Sequence, residues 1–183
     1  MAAPLLGLVC TRLMLAQPKS PAKPVRIPLW GFMLALLLCW LPILLAYFPG
    51  MLNYDFPGEY AQHLEGAYTT LHPLLHSALI NGIITLGELL HSRTLGLLLM
   101  TLLQMALFAA ALAYACMFAQ RRGASLPALA AMTALFGLHP IFSVMALSMT
   151  KDTLFSAALL VFSLLVWEAV SYTHLTLPTI CSV

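Results

Sequence analysis

The chain has 183 residues, of which 62% are hydrophobic and only 8% charged, with a formal net charge of +2. A soluble domain carries about a quarter charged residues, so this chain lacks the polar surface to fold in water and needs lipid as its solvent. The small net charge excludes nucleic acid as a partner. Cys10, Cys39, Cys116 and Cys181 form no close pair and no Cys-x-x-Cys, which excludes a disulfide framework, a zinc site or a redox motif.

Residues 1–27 open with the apolar stretch Met1 to Ala16, which contains Arg12 and is followed by Lys19, Lys23 and Arg26. In a cleaved secretory signal the basic residues come first, so 1–27 reads as a cytoplasmic lead. A spanning helix needs about 20 mostly apolar residues, and four segments of the transmembrane domain, 28–170, supply them. The first is 28–48, with Trp30, Trp40, Tyr47 and Phe48 suited to interfacial belts. The second is 94–118. The third, 125–147, is interrupted by His139-Pro140, where proline removes a backbone donor and kinks the helix. The fourth is 153–170. Residues 171–183 break the pattern and resemble the translated read-through of a sequencing adapter, so the native chain is expected to continue differently after Val170.

The segment 74–90 is apolar but short, and it contains His76, Asn81, Gly82, Gly87 and Glu88. If it does not span, Lys19, Lys23, Arg26, Arg121 and Arg122 share the cytoplasmic side, as the positive-inside bias requires. If it spans, Arg121 and Arg122 move to the other side. The first arrangement is therefore expected, with 74–90 an amphipathic helix on the outer membrane surface. The fold class is thus all-α. It is a polytopic transmembrane helix bundle with four spans, an outer loop over 49–93 that includes the interfacial helix, and the N-terminus inside a bacterial cytoplasmic membrane.

The outer loop gathers the polar chemistry. Asp55 follows the end of the first span, where an acid can take a proton from a substrate hydroxyl or hold a cation; as a plain loop residue it would simply meet water. Glu59 lies one helical turn later on the same face, and Pro57 fits the first turn of such a helix. His72 and His76 have the i, i+4 spacing of one helix face, suited to metal binding or phosphate contact or, with water on their polar edges, to capping an interfacial helix. No His-Glu-x-x-His is present, so no metal ligands are assigned. A second outer feature is Ser148-Met149-Thr150-Lys151-Asp152, where Thr150 or Asp152 can cap the fourth span and Lys151 can face a lipid phosphate. His139 and Gln104 read either as cavity residues beside the kink or as packed polar groups. The ten methionines form no clustered ladder and read as packing.

These motifs carry a resemblance. Tyr47-Phe48-Pro49-Gly50, Tyr54-Asp55, His72-Pro73-Leu74-Leu75-His76 and Met149-Thr150-Lys151-Asp152 resemble an uncharacterised bacterial family grouped with the C-type (GT-C fold) membrane glycosyltransferases, over residues 28–170. Phe56-Pro57-Gly58 departs from the polar residues expected after the acid, and the later spans and outer C-terminal domain of such enzymes are absent. The resemblance implies transfer of a sugar from a polyprenyl-phosphate donor at the outer face. Asp55 would be catalytic, and Glu59, His72, His76, Lys151 and Asp152 would bind substrate. Membrane lipid and the polyprenyl-phosphate sugar would be the partners, and a divalent cation is one conceivable cofactor. Two other readings stand beside it, a transporter or permease and a non-catalytic membrane subunit. Transporters place ionisable groups near the midplane, whereas here most lie at span ends.

Overall fold

The computed structural model describes residues 26–53, 55–65 and 74–180. Most of the expected lead, residues 66–73 with His72 and the last residues of the tail lie outside the described residues. Seven helices account for the described fold: α1 Leu29–Ala46, α2 Asp55–Glu65, α3 Leu74–Leu89, α4 Arg93–Arg121, α5 Leu126–Leu138, α6 Pro140–Leu147 and α7 Lys151–Ile180. Leu29–Ala46, Arg93–Arg121 and Lys151–Ser171 are long and apolar enough to cross a membrane, and α5 with α6, bent by 55° at their break, makes a fourth crossing if the pair is one span. The chain is an all-helical membrane protein. α7 runs past Val170 as one helix.

α4 is the axis of the bundle, and α1, α3, α5, α6 and α7 all touch it. α1 runs antiparallel to it. At one end the Gln120 side chain accepts from Ile27 N at 2.9 Å and donates to Ile27 O at 3.0 Å. Midway, Trp40 stacks on Phe108 with ring centroids 5.8 Å apart. At the far end Gly50 meets Thr101. Arg26 and Arg121 therefore share one end of the bundle, as the charge pattern predicts.

The break in the third crossing follows from Pro140. A proline at that position cannot donate to Phe136 O four residues back, and an unpaired carbonyl in an apolar interior is costly. The fully buried Trp40 answers it, with its indole Nε1–H donating to Phe136 O at 3.2 Å. Phe136 and Phe142 then pack edge to face across the bend, centroids 5.1 Å apart. His139 does not take up the freed carbonyl. It is exposed, and its Nδ1 caps α6 by accepting from Ile141 N at 3.3 Å.

α3 and α4 form a tight antiparallel hairpin. His91 sits at φ 55°, the left-handed residue that closes a helix C-terminus, and Ser92 caps α4 by accepting from Leu95 N at 3.2 Å. The helices nearly touch at Gly87 and Gly96. A Cβ added at Gly87 would stand 2.6 Å from Gly96 Cα and 2.7 Å from Gly96 N. α3 is amphipathic in an inverted sense, because His76, Ser77 and Asn81 are buried while Leu74, Leu75, Leu86 and Leu89 are exposed. Small contact residues and inward polar groups are what helix pairs use in lipid.

Gly87→Ala should therefore lower thermal stability by about 1–3 kcal/mol, the usual cost of forced overpacking. Gly82→Ala, whose Cβ meets nothing within 4 Å, should be neutral or slightly stabilising. Melting of both purified variants in one detergent checks the contrast.

Candidate functional site

A short backbone pairing assembles the polar end of the bundle. Met51 N donates to Leu147 O at 3.1 Å and Met149 N donates to Met51 O at 3.0 Å, a single parallel bridge between Met51 and Ser148. Gly50 makes the approach feasible. Its φ of 153° favours glycine, and a Cβ there would overlap the Thr101 hydroxyl. The bridge joins the loop after α1 to the loop before α7, so Asp55, which opens α2, and Lys151-Asp152, which open α7, lie within a few residues of the same pairing.

Side chains lock the second of these loops. The last carbonyls of a helix lack partners, and α6 ends inside the protein. The buried Gln104 donates through Nε2 to Met145 O at 3.1 Å and to Ser148 O. Thr153, 0% exposed, donates to Met145 O at 2.8 Å. Thr150 caps α7 by accepting from Asp152 N at 3.3 Å, as its position before the span predicts. Gln104 is thus a packed polar clamp and not a cavity residue. Met149 is buried in a cluster with Ile80, Ile84 and Met100, which ties this loop to the α3–α4 hairpin.

Beside the bridge lies a buried acid–imidazole pair. Glu59 of α2 is 1% exposed and His76 of α3 is 6% exposed. His76 Nδ1 lies 3.0 Å from Glu59 Oε2 and 3.2 Å from Oε1. That two-oxygen approach fits an Nδ1–H donating to the carboxylate, which turns Nε2 away from it. His76 Nε2, Ser77 Oγ and both amide atoms of Asn81 are buried on α3 with no hydrogen-bond partner among the described residues, and so is Gln104 Oε1 on α4. Tyr60 and Arg93 both reach Glu88 Oε1, at 3.4 and 3.1 Å, and brace α2, α3 and α4 together at the exposed rim.

The predicted residues are thus distributed unevenly. Glu59 and His76 meet each other. Asp55, Lys151 and Asp152 come to one end of the bundle through the bridge. His72 lies outside the described residues, and α3 begins only at Leu74. Of the readings open for His76, the water-facing cap does not fit, because the side chain is buried against Glu59. Ser77, Thr101 and Thr153 escaped the sequence reading, and Asn81 entered it only as a polar residue of 74–90. For Ser77 and Asn81 the i, i+4 spacing on the same helix as His76 was the available signal. Among the described residues no group of three His, Cys, Asp or Glu side chains can hold a metal ion.

Replacing Glu59 alone by Leu should cost about 1–3 kcal/mol by stranding a buried imidazole. The double variant Glu59→Leu/His76→Leu should be less destabilised than the sum of the two singles. A double-mutant cycle of denaturation in detergent measures the coupling.

The profile of a family of unknown function, DUF6020, matches residues 64–177, more than half of the chain. The chain belongs to that family. The matched stretch takes in His72, His76, Lys151 and Asp152, begins after Asp55 and Glu59, and extends past Val170. No curated protein and no solved structure matches the chain.

Proposed function

We propose that this DUF6020 chain is a membrane glycosyltransferase-like protein that moves a sugar from a polyprenyl-phosphate donor to an acceptor at the outer face of the cytoplasmic membrane. One observation carries the reading. The Met51–Ser148 bridge draws the acid-bearing start of α2 and the lysine-bearing start of α7 to the same end of the bundle. The side assigned to that end rests on Arg26, Arg121 and Arg122 lying at the opposite one.

Sugar transfer from a lipid phosphate needs a base for the acceptor and positive charge for the departing phosphate. In this reading Asp55 accepts the proton of the acceptor hydroxyl, and the hydroxyl oxygen forms the new bond to the anomeric carbon. The bond from that carbon to the phosphate oxygen breaks, and its electron pair leaves with the polyprenyl phosphate. Lys151 holds the phosphate as a point charge, with Asp152 beside it. The Glu59–His76 pair lies under the start of α2 and positions it. His72, outside the described residues, is assigned to substrate binding by the family resemblance alone.

The 55° break at His139–Pro140 favours a second reading, a transporter, because discontinuous helices often carry substrate there. In transporters the freed helix ends face a cavity. Here Trp40, Gln104 and Thr153 occupy them.

The transferase reading is tested in membranes that hold the full-length protein, with polyprenyl-phosphate-linked radiolabelled sugar as donor. Asp55→Asn should lower transfer at least about 100-fold, the scale of general-base catalysis. Lys151→Met should lower it with the protein level unchanged. Full activity in Asp55→Asn would remove Asp55 from the chemistry.

A further inference from the structure

We propose that the exposed face of α5, together with the His139–Pro140 break that ends it, is a contact between two copies of this chain, closed by reciprocal hydrogen bonds from His139 to Leu138 O. α5 stops at Leu138, and the last four carbonyls of a helix need donors from elsewhere. His139 N donates to Leu135 O at 3.1 Å and the Trp40 indole to Phe136 O at 3.2 Å. Leu138 O is not served in this way. An unbroken helix would give it Phe142 N, four residues on, but Phe142 N donates to His139 O at 3.2 Å instead. Leu138 is 71% exposed.

The neighbouring residue carries the complementary group. His139 Nδ1 accepts from Ile141 N at 3.3 Å, so the neutral ring holds its hydrogen on Nε2, a donor. The ring stands edge to face against Phe142, centroids 6.0 Å apart, and the residue is exposed. A donor and an acceptor thus sit on adjacent exposed residues.

Their depth selects the occupant. Gly137 packs on Cys39, where a Cβ would stand 2.9 Å from Sγ. At 1.5 Å per residue Cys39 is roughly 12 Å from Tyr47 at one end of α1 and roughly 18 Å from Ile27, which precedes the other. The break therefore lies within the hydrocarbon. Lipid tails offer neither donor nor acceptor, and a polar group at that depth faces a protein partner or a cavity. The surrounding face is apolar. Ala128, Ala131, Leu135, Leu138 and Ile141 are exposed on it, and no Asp, Glu, Lys or Arg occurs over 123–150. A second copy fits such a face. Turned about a two-fold axis along the membrane normal, it keeps the same topology, and each copy brings its Leu138 O to the other's imidazole. Ala128 and Ala131 let the two helices approach closely, as small residues do in lipid. The contact does not depend on the transferase reading.

Cross-linking in membranes that hold the full chain, with its native cysteines replaced by alanine, tests it. Leu138→Cys should give a disulfide-linked dimer on mild oxidation, and Phe162→Cys, at a comparably exposed position on α7, should not. In liposomes of increasing lipid content, single-molecule photobleaching should show dimers whose dissociation constant rises about tenfold in His139→Leu, the worth of two hydrogen bonds between helices in lipid. His139→Asn, which keeps a donor and a helix cap, should lose less. Ala131→Trp, on the same face but away from the cap, should abolish the cross-link at Leu138→Cys without unfolding the chain. Monomers at every dilution would overturn the contact. So would cross-linking at Phe162→Cys as strong as at Leu138→Cys, an unchanged constant in His139→Leu, or a dimer that survives Ala131→Trp.

Discussion

Inside an apolar solvent every backbone carbonyl must find a donor, and this fold is organised around one place where the helix cannot supply it. Pro140 breaks the α5–α6 pair and exposes Phe136 O, and the end of α6 exposes Met145 O, Leu147 O and Ser148 O. Trp40, Thr153, Met51 and Gln104 answer these in turn, and they come from four different parts of the chain. Satisfying a broken helix thereby fixes α1, α4 and α7 against one another. The polar end of the bundle is a by-product of that repair. The Met51 pairing that answers Leu147 O is also what brings the start of α2 to the start of α7.

Part of this was legible in the residues. The apolar runs located each crossing to within a few positions, because a 20-residue hydrophobic stretch is a strong and local signal. The break at His139-Pro140 was legible too, since proline's missing donor is a local fact. What answers the break was not. Trp40 lies 96 residues from Phe136 in sequence, and nothing in an apolar helix marks one tryptophan as the donor. The bridge between Met51 and Ser148 is a single pairing with no strand pattern around it, so no periodicity announces it.

The segment over Leu74–Leu89 shows a different limit. Its mixture of leucines with His76, Ser77 and Asn81 reads as a surface helix with its polar side in water. In the fold the polar side faces protein, and the leucines face outward. A pattern of polarity along a helix gives the angle between two faces but not which one looks inward, because lipid accepts leucine as readily as a protein core does. Glu59 and His76 were both legible as candidate site residues, but their partnership was not, since it joins two separate helices.

The central claim is that the segments carrying Asp55 and Lys151 form one site because Met51 pairs with Ser148. Adjacent backbones in such a pairing stand about 4.8 Å apart, within the span of a disulfide. The direct measurement places Met51→Cys and Ser148→Cys in a chain whose native cysteines are alanine, with a protease site inserted between α2 and α3. After mild oxidation in membranes and cleavage, the two fragments should stay joined in most molecules and separate only on reduction. Fragments that separate without reductant would show that the two segments do not meet, and the site as described would not exist.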